Sequence, residues 1–214
     1  MTREIREMSE TRRNIIVGGA AGLLAGGLAR SVFAAPPVAQ AHVHPPLLGN
    51  PKAEKRLVVW GSYTCPFTAL LIGTLNGIVT DMPGVVNVEW RHFPTHPPDP
   101  ALHVAGLGFK GQHFWGFTFH VLSTVYAANG QFSGLTSQKL AEFAKAEGGS
   151  QKTLTAAYAD KAKWSSVKDD LLAGRLLGVT RTPGLFYNGY FMTPDGMPMD
   201  TKAFDKSLRA MLKA

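Results

Sequence analysis

Arg56-Leu57-Val58-Val59-Trp60-Gly61-Ser62-Tyr63-Thr64-Cys65-Pro66-Phe67-Thr68 is the stretch from which the fold can be read. Its first half is a β-branched and aromatic run, which suits a pleated, half-buried strand. Cys65-Pro66 follows where the pattern changes, and proline is favoured in a first helical turn because its missing N–H would be unpaired there anyway. Leu70, Leu71, Leu75 and Ile78 recur at helical spacing up to Asp81, and Pro83-Gly84 stop the helix. Val85 to Phe93 alternates as a second strand. The product is a β-α-β unit with Cys65 at the N-terminus of its helix.

Further along, residues 100–177 contain no convincing strand and break into helical stretches at Pro100–Gly108, His113–Ala127, Ser137–Ala146 and Lys152–Leu177. Leu185-Phe186-Tyr187, turned by Asn188-Gly189 into Tyr190-Phe191-Met192, is the strongest short hairpin signal in the chain. Thr201 to Lys213 reads as a closing amphipathic helix with Phe204, Leu208 and Leu212 on one face. The order is βαβ, a helical insertion, then ββα.

The chain has 214 residues, 45% of them hydrophobic and 17% charged, enough to bury a core in one globular domain with appendages. Its single cysteine excludes a disulfide scaffold and any multi-cysteine zinc or iron–sulfur site. The net charge is +7, and residues 1–35 carry five basic and three acidic residues, so the remainder keeps +5. Those charges form no polybasic run and no basic-aromatic stripe, so nucleic acid is not an expected partner. Nor does the sequence contain paired carboxylates, a Ser-His-Asp set, a phosphate loop or a nucleotide fingerprint. No cofactor is expected.

Residues 1–35 read as an export signal. Arg12-Arg13 stand directly before an apolar stretch, Ile15 to Leu28, interrupted by five glycines, as in a twin-arginine signal. At 14 residues the stretch is shorter than the roughly 20 that cross a bilayer as a helix. Ala34 and Ala35 offer cleavage positions; a membrane is a partner only if the signal stays uncleaved. Residues 36–51, rich in Pro and Ala, read as a linker, and residues 52–214 as a periplasmic domain with its helical insertion at about 98–177.

The chain resembles the DsbA-like branch of the thioredoxin superfamily. Three features carry the resemblance: the strand-Cys65-Pro66 entry into a helix, Gly111-Gln112-His113-Phe114-Trp115 in the insertion, and Gly178-Val179-Thr180-Arg181-Thr182-Pro183 before Leu185-Phe186-Tyr187-Asn188-Gly189. It implies an α/β, thioredoxin-like fold with a helical domain inserted between the βαβ and ββα halves. It also implies that Pro183 is cis and that Thr182 faces Cys65, and it implies thiol-disulfide chemistry on cysteine-containing or unfolded protein substrates.

The sequence departs from that pattern where the chemistry lies. Thr68 stands where relatives carry a second cysteine, so Cys65 can form a mixed disulfide but cannot close an internal one. Release of the partner then needs an external thiol or redox partner. The helix N-terminus favours thiolate over thiol at Cys65; Thr68 is placed to donate its hydroxyl to the sulfur and Arg181 to add positive charge. Relatives often place an acid in the strand before the motif, whereas here the positions are Val59, Trp60 and Ser62. The expected site is Cys65, Thr68, Thr182 and Pro183.

Two alternatives accompany the monothiol exchanger: a non-catalytic peptide-binding or chaperone module, and a Cu(I) site joining Cys65 to His42, His44, His92, His96 or His103, since thiolate and imidazole suit that ion. His113 and His120 sit seven apart on a predicted helix and are expected, with Phe114, Trp115, Phe117 and Phe119, to line core and groove. Part of that aromatic cluster is expected to form an apolar patch near Cys65.

Overall fold

The computed structural model describes residues 46–128, 134–198 and 200–214. The arginine pair, the apolar stretch, both cleavage positions, His42 and His44 lie outside these residues. In chain order the elements are β1 (Leu47–Gly49), β2 (Lys55–Gly61), α1 (Pro66–Asp81), β3 (Val86–His92), α2 (Asp99–Gly106), α3 (Gln112–Ala127), α4 (Ser137–Ala146), α5 (Gln151–Ala159), α6 (Lys161–Leu176), β4 (Gly184–Tyr187), β5 (Tyr190–Phe191) and α7 (Thr201–Lys213). The strands form one sheet in the order β1-β3-β2-β4-β5. β2 and β3 are parallel, and the other pairs are antiparallel.

Alternation along β2 divides the interior. Leu57 and Val59 join Val86, Val88 and Trp90 of β3 and the apolar face of α1 (Leu71, Ile72, Leu75, Ile78) in the main core. Val58 and Trp60, pointing the other way, join Phe93, Val179, Phe186 and Leu171 in a second cluster. Burying each α1 leucine or isoleucine contributes about 1.5–3 kcal/mol before entropy is counted. β4 and β5 turn at Asn188 (φ 48°) and Gly189 (φ 79°), both in the left-handed region that a two-residue hairpin loop of this type needs.

Two boundaries differ from the sequence reading. Leu47–Gly49, inside the predicted linker, is an edge strand paired with Glu89, Val88 and Asn87; three residues after a proline pair are too few to show alternation. The predicted helix Lys152–Leu177 is two helices. Asp160 ends the first and caps the second, its carboxylate accepting from Ala162 N at 2.9 Å.

α6 lies against the Trp60 face of the sheet. Trp60 Nε1 donates to the Asp170 carbonyl at 3.2 Å, and Gly174 passes so close to the indole that an added Cβ would stand 2.5 Å from Trp60 Cδ1 and 2.9 Å from Phe93 Cδ2. A Gly174→Ala substitution sets a helix-propensity gain of about 1 kcal/mol against overpacking at a buried ring, which costs about 1–3 kcal/mol. Overpacking wins, because Trp60 is 5% exposed and its N–H is committed. Denaturant unfolding is expected to show a net loss of about 1–2 kcal/mol; a gain would mean that α6 packs less closely on β2.

Candidate active site

Cys65 is the residue at which the chain changes from loop to helix. Its backbone is extended (φ −101°, ψ 117°) and it occupies the N-cap of α1 with Pro66 next. Its carbonyl accepts from Thr68 N at 3.0 Å and Ala69 N at 3.2 Å, while its own N–H donates to the Ser62 carbonyl at 3.3 Å. The side chain is therefore held at the positive end of the α1 dipole. The sulfur is half-buried and donates to the Thr182 carbonyl at 3.3 Å. The Thr182–Pro183 peptide bond is cis.

Pro183 is fixed from behind. Thr193 Oγ1 donates to the Pro183 carbonyl at 2.9 Å and accepts from Leu185 N at 2.9 Å, closing the turn against β4. Arg181 is turned away, donating to the Asp195 carbonyl at 3.2 Å. Thr68 is fully buried and its hydroxyl accepts from Ser62 N at 3.4 Å, so it braces the loop instead of reaching the sulfur. The structure thus brings Cys65, Thr182 and Pro183 together, with Thr68 as a support beneath them.

A buried acid is present after all, supplied by the insertion instead of the preceding strand. Asp99, fully buried in the first turn of α2, accepts from Ser62 Oγ at 2.6 Å, Tyr63 N at 2.9 Å and Thr95 N at 2.9 Å. The Ser62 hydroxyl in turn lies 2.9 Å from those of Thr64 and Thr95. Burial by itself would push the Asp99 carboxyl up, but the His103 ring, the Ser62 hydroxyl and the Thr95 N–H together hold it below the ordinary carboxylate range. Burial also pushes the Tyr63 phenol up; its hydroxyl pairs with that of Thr118 at 2.8 Å. The available sequence signal was Asp99 and His103 four apart on a helix, which shows shared face but not that the face meets Ser62.

His92 and His103 face one another, Nδ1 to Nδ1 at 2.8 Å, both buried. His96 is exposed, and among the described residues no three His, Cys, Asp or Glu side chains converge on a metal position. The copper reading accordingly loses His92 and His103. His113 and His120 share a face as the spacing requires, but it is the outer one: their side chains are 66% and 42% exposed and flank Glu147, each 3.4 Å from one carboxylate oxygen. The inner face is taken by Phe114, Phe117, Thr118, Val121 and Val125, and Gly116 leaves the room that the Glu147 carboxylate fills.

An apolar groove of about 340 Å³ runs along α1 from Ala69 to Thr74, one turn and more beyond Cys65, its far wall being Phe119, Leu122, Ser123 and Tyr126 of α3. Of the aromatic cluster, Phe114, Trp115 and Phe117 are core and Phe119 reaches the groove. Phe67, two residues after Cys65, is 45% exposed.

The depressed Asp99 carboxyl contributes stability that is complete above the ordinary carboxylate range and is lost as pH falls through its lower folded value. Asp99→Asn keeps one acceptor but turns an NH₂ toward N–H donors, at a cost of about 1–3 kcal/mol at pH 7. Denaturant unfolding at several pH values is expected to show the gap between the two proteins narrowing on acidification. A constant gap would assign the acid dependence to other carboxylates.

Comparison with known proteins places this site in context. A family model described as thioredoxin matches residues 41–210. No curated protein matches in sequence. Among solved structures, a periplasmic thioredoxin-like protein from Salmonella enterica serovar Typhimurium is 19% identical over 83% of this chain and 97% of that one, with a TM-score of 0.63. A protein-disulfide isomerase from Novosphingobium aromaticivorans is 21% identical over 79% and 97%, TM-score 0.62, and alpha-DsbA1 of Wolbachia pipientis 19% identical over 82% and 93%, TM-score 0.61. The family-model match over residues 41–210 shows that the chain belongs to the thioredoxin family, and these solved structures share its fold.

Proposed function

We propose that this protein is an exported thiol-disulfide oxidoreductase that works through one sulfur. The observation carrying the reading is the placement of Cys65: a half-buried thiol at a helix N-terminus, 3.3 Å from the Thr182 carbonyl, with a buried threonine one turn on. The thiolate attacks a partner's disulfide, a Cys65–partner disulfide forms, and the displaced thiolate leaves and takes a proton from water. An external thiol then attacks the mixed disulfide and returns Cys65 as thiolate. The groove along α1 suits an apolar segment of the partner chain. Export by the arginine-pair route and a periplasmic location belong to the same reading, supported by the leader pattern and by the periplasmic relative; no helix among the described residues is long and apolar enough to cross a membrane.

The same groove favours a second reading, a peptide-binding module without exchange chemistry. Substituting Thr68 separates the two. With a model protein disulfide as substrate, the natural chain is expected to stop at a mixed disulfide that persists until thiol is added. Thr68→Cys is expected to release the partner unaided and to accumulate an intramolecular disulfide, read by intact-mass measurement after acid quench. Failure of the natural chain to form any adduct, with peptide binding retained in Cys65→Ser, would select the binding module.

A further inference from the structure

The exchange cycle needs an external thiol, and the groove along α1 has no charged residue with which to hold one. A second cavity does. It measures about 490 Å³ and is lined by Phe93, Pro94, Thr95, Arg175, Val179 and Thr180, a size within the range of small-molecule sites.

Its walls continue the two segments that meet at the sulfur. Phe93 N donates to the Gly61 carbonyl at 2.9 Å, where β2 ends and the turn to Cys65 begins. Thr95 Oγ1 lies 3.3 Å from Thr64 Oγ1, and Thr64 directly precedes Cys65. On the opposite wall Thr180 stands two residues before Thr182, a main-chain span of at most about 7 Å, and the Thr182 carbonyl accepts from Cys65 Sγ at 3.3 Å.

The frame is preset. Gly178 (φ 85°) ends α6: its N–H donates to the Arg175 carbonyl at 3.1 Å, and Val179 N donates to the Gly174 carbonyl at 2.9 Å, the paired bonds of a glycine-terminated helix. Val179 and Phe93 are then buried with Trp60 in the second cluster. These bonds use the Arg175 carbonyl and leave its side chain exposed. Among the described residues the Arg175 guanidinium has no hydrogen-bond or ion-pair partner, and of the residues lining the cavity it alone is charged. A guanidinium fork takes a carboxylate through two parallel N–H···O bonds.

We propose that this cavity is a subsite for the external thiol, and that the thiol is a short, peptide-like one whose free carboxylate is held by Arg175. A ligand two or three residues long spans about 7–10 Å, comparable with the main-chain span from Thr180 to the residue that touches the sulfur. The bound thiol gives its proton to water and attacks the partner's sulfur in the Cys65–partner disulfide. That bond breaks, a new disulfide joins the small thiol to the partner, and Cys65 leaves as thiolate. One sulfur–sulfur bond forms and one breaks, so no further oxidant or reductant enters. Arg175 also stands in the last turn of α6, where a cation offsets the helix dipole. That role is blind to the ligand, so the test reads ligand dependence and not stability.

The inference rests on Cys65 being the working sulfur, but the first arm of its test does not. The full chain carrying Cys65→Ser is titrated with S-methylglutathione while backbone amide shifts are followed by NMR. Saturable shifts are expected at Thr95, Val179 and Thr180, with affinity falling about fivefold when Arg175→Gln is added, the upper end for an ion pair at an exposed cation. No shifts at these residues, or an affinity that Arg175→Gln leaves unchanged, would overturn the proposal. In the second arm, a preformed disulfide between Cys65 and a model protein is released by reduced glutathione or by 2-mercaptoethanol. Release by glutathione is expected to saturate with concentration and, below saturation, to slow about fivefold in Arg175→Gln, while release by the uncharged thiol stays linear and unchanged. Equal slowing with both thiols, or none with either, would contradict a carboxylate subsite. Saturable binding in the first arm with no Cys65 adduct obtainable for the second would overturn the exchange reading and leave the carboxylate site standing, so the two failures are distinguishable.

Discussion

The 2.6 Å hydrogen bond from Ser62 to Asp99 ties the two halves of this molecule together at its most consequential point. Ser62 ends the strand that carries the chain to Cys65, and Asp99 begins the first helix of the insertion. A carboxylate with no exposure can exist there only because Ser62, Tyr63 and Thr95 all donate to it and His103 stands beside it. Those donors also hold the turn in shape, so the cost of burying the charge and the position of the sulfur are two sides of one constraint. The remaining supports follow from it: Thr68 braces Ser62 from below, Thr193 fixes the Pro183 turn, and α6 clamps Trp60 and β3 through Asp170.

Among these parts, those set by local pattern were legible in the sequence. The β2-α1-β3 unit follows from alternation, helical spacing and Pro66 at a helix start, and the β4–β5 hairpin from Asn188-Gly189. The sharp edges were harder. Asp160 was a cap signal hidden inside a long helical pattern, and Leu47–Gly49 exists as strand only because β3 offers it an edge. Both are cases where a neighbour in space decides what a few residues do.

The site divides in the same way. Cys65 at the head of α1 could be placed from sequence, because one residue and its successor define a helix start. Asp99 could not be placed. The strand before Cys65 carries no acid at Val59, Trp60 or Ser62, and the buried carboxylate comes instead from α2, 37 residues on from Ser62. His113 and His120 erred in the opposite sense: their spacing gave a shared face, but only the competing bulk of Phe114 and Phe117 decides which face turns inward. Periodicity fixes which residues lie together and leaves open what they lie against.

For a protein with one sulfur, reactivity must come from where that sulfur is held, since no second cysteine can supply it. The most direct test is the rate at which Cys65 reacts with a small aromatic disulfide at neutral pH, compared between the folded protein and the same protein in denaturant. Reaction faster in the folded state, despite the sulfur being half-buried, is the predicted result. A folded-state rate equal to or below that of the unfolded chain would mean that the helix terminus and the Thr182 turn shield the thiol without activating it, and would contradict the account.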